Sequence, residues 1–161
     1  MPPSRAPVLL DASLLDRVTA EARTSPRGRR NFNLHGADGH PAHRLLNAIE
    51  PGSYVAPHRH LHPDKDESIV AVRGRVAIAF FDDEGRETSR HVLEAGGPVF
   101  GVDVPHGTYH AIWALDPGSA FFEAKAGPYL PLAPGERAPW APAEDSPEAP
   151  AFLRRLAAGP G

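Results

Sequence analysis

Apolar residues recur at helical spacing near the start of the chain, where Leu14, Leu15, Val18 and Ala22 share one side of the segment Asp11 to Arg23. With Asp11 or Ser13 placed as N-cap, the pattern predicts one short amphipathic helix. Further on, apolar runs become brief, rich in Val, Ile, Phe and Tyr, and are divided by Gly, Pro and Asp at the intervals of an all-β sandwich or barrel. They predict strands over Leu45 to Ile49, Tyr54 to Pro57, Ile69 to Val72, Val76 to Phe81, Val99 to Val104, His110 to Leu115 and Ala120 to Lys125. Asp82-Asp83-Glu84-Gly85 has the composition of a hairpin turn, with Gly85 free to take positive φ. The strand pattern stops at Pro128, and eight of the 19 prolines lie at or beyond it. This section is expected to be an extended tail. Trp140, and Phe152, Leu153 and Leu156 on a terminal helical turn, could dock it on the barrel or on a second subunit. The expected organisation is an N-terminal helix and arm over 1–28, a barrel over 29–130 and a proline-rich extension over 131–161.

At 161 residues the chain is long enough to bury a core without a disulfide or metal staple. It has no cysteine, which excludes a disulfide framework and a thiolate zinc site, so any metal must be held by His, carboxylate or backbone oxygen. Net charge is −3 and pI about 6.3, so no broad basic face is offered to nucleic acid or anionic lipid. Arg27-Gly28-Arg29-Arg30 is the local exception, expected as a solvated or internally paired loop. No apolar run approaches bilayer length and no secretory signal is legible, which predicts a cytoplasmic protein with no membrane or nucleic-acid partner.

Candidate chemistry is concentrated in two separated patches. His58-Arg59-His60 is followed by Glu67, and Pro105-His106-Gly107-Thr108-Tyr109-His110 comes much later. Residues two apart on a strand share a face, so His58 and His60 can present imidazoles to one point. A carboxylate and a distant imidazole would complete a three-nitrogen, one-oxygen set suited to a divalent transition metal. His62 has the same parity, so periodicity alone leaves it as an alternative ligand.

Gly52 followed by five residues and His58-x-His60, then Glu67, six residues and Gly74, resembles the first cupin motif. Pro105-x-Gly107-x-x-His110 resembles the second. The resemblance implies an all-β cupin double-stranded β-helix, a small jelly-roll barrel with its metal inside, and as ligands His58, His60, Glu67 and His110. Three positions depart from the pattern: six residues separate His60 from Glu67 instead of three or four, Val99 replaces a glycine, and Ala114 replaces an asparagine common in cupins. The pair His60-x-His62 would restore the usual spacing to Glu67. His58 and His60 are preferred because the glycine spacing fits them and because Pro63-Asp64-Lys65-Asp66 reads as a turn before a new strand.

Flanking residues resemble one group more closely. Arg29-Arg30-Asn31-x-Asn33-x-His35, Arg44-Leu45-Leu46-Asn47, Gly52-x-Tyr54-x-x-Pro57-His58-Arg59-His60, Phe81-Asp82-Asp83-x-Gly85 and Glu123-x-Lys125-x-Gly127-Pro128-Tyr129 are similar to the WbuC family of cupin-fold metalloproteins. The similarity spans roughly 29 to 142, ending in Ala138-Pro139-Trp140-Ala141-Pro142. Members are bacterial, some encoded beside O-antigen polysaccharide genes, and the family implies a metal-bearing barrel without supplying an established reaction.

Tyr54, of the same parity as His58, is expected to face the interior as packing or as a hydrogen-bond donor to substrate. Glu123 and Lys125, two apart near a strand end, are expected either as an acid and amine beside the metal or as an ion pair closing the barrel. His35, His40, His43, His91 and His106 are expected to be non-ligands, with His106 at the mouth, and Arg30, Asn31, Asn33 and His35 are candidates for a polar lid. A metal with three imidazoles and one carboxylate, when octahedral, keeps two open positions for Lewis-acid work on a sugar-related substrate or for iron-dependent dioxygen chemistry. The competing class is a non-catalytic metal or small-ligand binding cupin, and Fe, Mn, Zn, Ni and Cu all suit the ligands. A homodimer is expected, because small barrels of this kind tend to hide a sheet edge by pairing.

Overall fold

The helix read from periodicity forms as α1 (Ala12–Thr24) in the computed structural model, which describes residues 6–159. Asp11 caps it, its side chain accepting a hydrogen bond from the Leu14 N–H at 2.9 Å and satisfying one of the free donors of the first turn. Leu14, Val18 and Ala22 pack on Leu46 and Ala48 with Phe32 and Phe122, so the helix covers one face of the sheet behind it.

Eight strands follow: β1 (Arg29–Asn33), β2 (Ala42–Ile49), β3 (Glu67–Arg73), β4 (Arg75–Phe81), β5 (Glu87–Glu94), β6 (Gly101–Val104), β7 (Tyr109–Ala114) and β8 (Ser119–Ala126). They form two antiparallel sheets in the orders β1-β2-β8-β3-β6 and β5-β4-β7. The inner faces meet in a core that joins Ile49, Ile69 and Phe121 of the larger sheet to Ile78, Leu93 and Ile112 of the smaller. This is the sheet-on-sheet arrangement of a jelly roll. Register across β3 and β8 pairs Glu67 with Lys125 and Ile69 with Glu123, which sets three ionisable side chains at one end of the barrel.

Two strands escape the apolar pattern and one expected strand does not form. In β1 the single apolar residue is Phe32, and in β5 only Leu93 is buried, so neither carries an alternation that a sequence can reveal. Residues 54–57 run as an irregular segment. The Tyr54 carbonyl accepts a hydrogen bond from Arg29 Nη1 at 2.9 Å, and no neighbouring strand pairs with this stretch. Strand pairing resumes only at His58, in isolated bridges to His110 and to Arg137.

The proline-rich section is folded onto the barrel over much of its length. A 3-10 turn (Pro134–Glu136) leads to α2 (Ala149–Ala158), and Ala138, Ala149, Leu153 and Leu156 bury against Ala77, Ala79, Ala111 and Trp113 on the outer face of β4 and β7. Both faces of β4 and β7 are therefore covered, which explains why their sequences are apolar without alternation. Trp140 lies across Phe81, Tyr109 and Phe152, with ring centroids 4.9, 6.0 and 6.4 Å away. The expected Asp82–Gly85 turn is the seat of this tryptophan: Gly85 has φ +85°, and a Cβ there would come within 2.6 Å of Trp140 Cδ2. Gly85→Ala should cost about 1–3 kcal/mol from the combined clash and backbone strain. Thermal denaturation checks it, and an unchanged midpoint would mean that the Trp140 seat is not formed in solution.

Candidate functional site

The two histidine patches meet where the irregular segment after Pro57 crosses the start of β7. The His58 N–H donates to the His110 carbonyl at 3.1 Å and the His110 N–H returns a bond to the His58 carbonyl at 2.9 Å. The Gly107 N–H then bonds the His60 carbonyl at 2.6 Å. Backbone bridging, in place of the continuous strand expected from sequence, thus aims both imidazoles inward, and the His58 and His60 ring centroids lie 5.4 Å apart. Glu67, the first residue of β3, projects between them and is 3 % exposed.

His58, His60 and Glu67 each offer one ligand atom within 4.8 Å of the others, a group that could hold a metal ion. His110 stands beside it, with Nε2 3.2 Å from Glu67 Oε2, against 3.6 Å for His60 Nε2. The rings are oriented from behind. His58 Nδ1 lies 3.0 Å from the Ala56 carbonyl and His110 Nδ1 3.0 Å from the Thr108 carbonyl. A carbonyl can only accept, so both Nδ1 atoms carry a proton and Nε2 is the atom turned to the site, the arrangement typical of a ligating histidine. Burial, reinforced by the neighbouring His110, pushes the His58 imidazole down to about 3, so it is neutral.

His60 Nε2 and Glu67 Oε2 are buried without a hydrogen-bond partner. Buried polar atoms are rarely left unsatisfied, and a lone pair aimed at a carboxylate oxygen is repelled unless positive charge lies between them. The donor chemistry therefore fits a divalent transition metal.

A polar chain extends from this cluster across the sheet. Lys125 Nζ is 3.1 Å from Glu67 Oε1 and 2.5 Å from Glu123 Oε1, and Asn47 Nδ2 donates to Glu123 Oε2 at 2.9 Å. Burial opposes the charge on Glu67, yet the groups around it, the Lys125 cation among them, hold its carboxyl well below the usual range. Burial and the charge of Glu67 push the Glu123 carboxyl up to about 8. For Lys125 burial works downward, yet the two carboxylates win and raise its ammonium above the ordinary lysine value. The alternative readings of Glu123 and Lys125 thus merge: Lys125 contacts both Glu123 and Glu67, and the pair lies beside the candidate ligands.

All of these side chains except Tyr54 line one cavity of about 730 Å³, within the ordinary size range of small-molecule sites. Tyr54 belongs instead to the cluster under α2, edge-on to Phe152, and its hydroxyl donates to the Pro142 carbonyl at 2.9 Å. Strand parity misplaces it because residues 54–57 are not a strand. His62 lies at the rim, its side chain 61 % exposed and its Nδ1 accepting the Asp64 N–H at 3.2 Å, outside the three-residue group. His106 turns away to Asp66, with Nδ1 2.8 Å from Oδ1, and does not line the cavity. His35 and His43 were expected only as non-ligands; they form a buried stack, centroids 3.9 Å apart, on the cavity wall. Asn47 and His43 had a legible signal, since His43, Leu45 and Asn47 alternate to one face of β2 and all three line the cavity.

The two packed antiparallel sheets and the His–His–Glu group define a cupin-fold protein with a site able to hold a metal ion. Residues 10–93 match the model of the family described as a domain of unknown function (DUF6016), and the chain belongs to that family. No curated protein matches the sequence. Among solved structures, KdgF from Halomonas sp. is similar at a TM-score of 0.50 and 19 % identity, over 66 % of this chain and 85 % of that one. A cupin-2 domain containing protein from Shewanella frigidimarina is similar at 0.46 and 19 % identity, over 61 % of this chain and 80 % of its own. Bacillus subtilis oxalate decarboxylase is similar at 0.46 and 19 % identity over 57 % of this chain, which spans only 23 % of that protein. The likeness to KdgF concerns the fold alone.

Proposed function

We propose that this protein is a metal-dependent cupin enzyme in which His58, His60, Glu67 and His110 hold one divalent transition metal and a small, polar, sugar-related substrate occupies the cavity they line. The observation that carries the reading is the pair of buried, unpartnered atoms His60 Nε2 and Glu67 Oε2 within the three-residue cluster. When bound, such a metal supplies Lewis acidity toward an oxygen of substrate or water. The chain supplies the remainder. Lys125 holds Glu67 and Glu123 in place, Asn47 orients Glu123, and the Glu123 carboxyl with the Lys125 ammonium offers an acceptor and a donor to a substrate hydroxyl. The WbuC-like residues over 29–142 support a link to cell-surface polysaccharide chemistry. A homodimer in the cytoplasm belongs to the same proposal, supported by the open outer edges of β1, β6 and β5.

Elemental analysis of the full chain purified without added metal tests the site. Wild type should carry close to one transition-metal ion per chain, His58→Ala and His110→Ala should lose most of it, and His62→Ala should retain it. Full metal content in both of the first two variants overturns the ligand assignment. Assays of the loaded protein for sugar isomerisation or epimerisation and for oxygen consumption then decide the reaction class. Oxygen consumption replaces the Lewis-acid reading with a dioxygenase, and tight ligand binding with neither activity replaces both with a binding or sensing cupin.

A further inference from the structure

The cavity has a second charged end, built from β1 and the C-terminal section. Arg29, Asn31 and Asn33 alternate to the cavity face of β1, while Phe32 points the other way into the packing under α1. Arg29 is held by the Tyr54 carbonyl at 2.9 Å, its side chain only 17 % exposed. Arg29 Nη2 and Arg27 Nη2 both converge on one oxygen of Glu144, the latter at 3.0 Å. Glu144 follows Pro142, whose carbonyl is tied to the Tyr54 hydroxyl, so the C-terminal section lays this carboxylate on the guanidinium pair at the cavity wall. Two guanidinium groups around one carboxylate oxygen make a site for an anion, which here is filled from within the chain.

Distance makes the two ends a pair. Glu67 is on β3 and Arg29 on β1, three strand spacings away in the order β1-β2-β8-β3. At about 4.8 Å per spacing the two strands lie ~14 Å apart, and the register adds an offset along them, since Arg29 pairs with Ile49 of β2 whereas the row of Glu67 and Lys125 crosses β2 at His43. Between them the wall is polar, with Asn47 on β2 and Glu123 and Lys125 on β8. A molecule the size of a two-carbon acid cannot reach from one end to the other, so a ligand that touches both is an extended one.

We infer that Arg27 and Arg29 form the anion-binding end of the substrate cavity, that the ligand is a hydroxylated small molecule with a phosphate or carboxylate at one end, and that Glu144 holds the place of that anion until the ligand displaces it. The inference rests on the proposed reading for one point, that the opposite end of the ligand lies at the His58–His60–Glu67 group. Glu144 competes from a tether, at an effective concentration in the millimolar range, so it weakens the binding of a free anion.

Calorimetric titration of the full chain with inorganic phosphate and with acetate tests this, in the presence of a chelator and again after zinc loading. Glu144→Gln should bind one of the two anions about tenfold more tightly than wild type. Adding Arg27→Ala, a residue whose side chain is 66 % exposed and removable without disturbing the core, should cancel the gain. Preference for phosphate assigns a phosphorylated ligand and preference for acetate a carboxylic acid. No tightening in Glu144→Gln, or tightening that survives Arg27→Ala, overturns the inference. Because the chelator arm is read without metal, its failure is distinct from a failure of the metal assignment, which elemental analysis reports.

Discussion

Lys125→Met is expected to destabilise the metal-free protein by about 3–5 kcal/mol, the range for removing one partner from a buried charge cluster. Glu67 and Glu123 are 3 % and 8 % exposed, and Lys125 is the cation that contacts both. Without it, two carboxylates share a water-poor pocket, and either the charge repulsion or the protonation needed to relieve it counts against the folded state. A divalent ion at the neighbouring histidines restores positive charge beside Glu67, so zinc should recover part of the loss and stabilise the variant more than it stabilises wild type. Denaturant titration with and without zinc reads both effects. A loss under about 1 kcal/mol would show that the ammonium is effectively solvated, as in a surface ion pair.

Trp140→Ala should also cost about 3–5 kcal/mol, the usual range for truncating a packed tryptophan. The ring joins Phe81, Tyr109 and Phe152 and seats on Gly85, so it couples the C-terminal section to both the smaller sheet and α2. In a chain of this length the loss corresponds to a fall of roughly 10 °C in thermal midpoint. Because Glu136 and Glu144, which line the cavity, lie on either side of Trp140, the variant should also be cut more readily by protease beyond residue 137. An unmoved midpoint together with a protease-resistant C-terminal section would refute this account of how the section is held.

The sequence carried the site further than its surroundings. His58, His60, Glu67 and His110 are legible because few residue types make good ligands and they stand in two recognisable motifs. Glu123 and Lys125 are legible because a strand places residues two apart on one face. Tyr54 failed under the same rule, since parity holds only where a strand exists and Arg29 claims the Tyr54 carbonyl that a neighbouring strand would need. The strands β1 and β5 stayed hidden because their exposed or cavity-facing positions, Val92 apart, are polar, leaving too little alternation to mark them.

What the sequence determined by itself is local: the capped helix α1, most of the strands, the turn before Gly85, and the chemical identity of the candidate ligands. These depend on period, capping and side-chain type, which are properties of neighbouring residues. Tertiary structure decided everything that depends on distant segments meeting. It left His62 on the rim, placed Lys125 between two acids through the β3–β8 register, and folded the proline-rich section over the small alanines of β4 and β7. It also brought Glu144 to Arg29, 115 positions earlier in the chain. No periodicity encodes such a contact, because its partners become neighbours only after both sheets have packed.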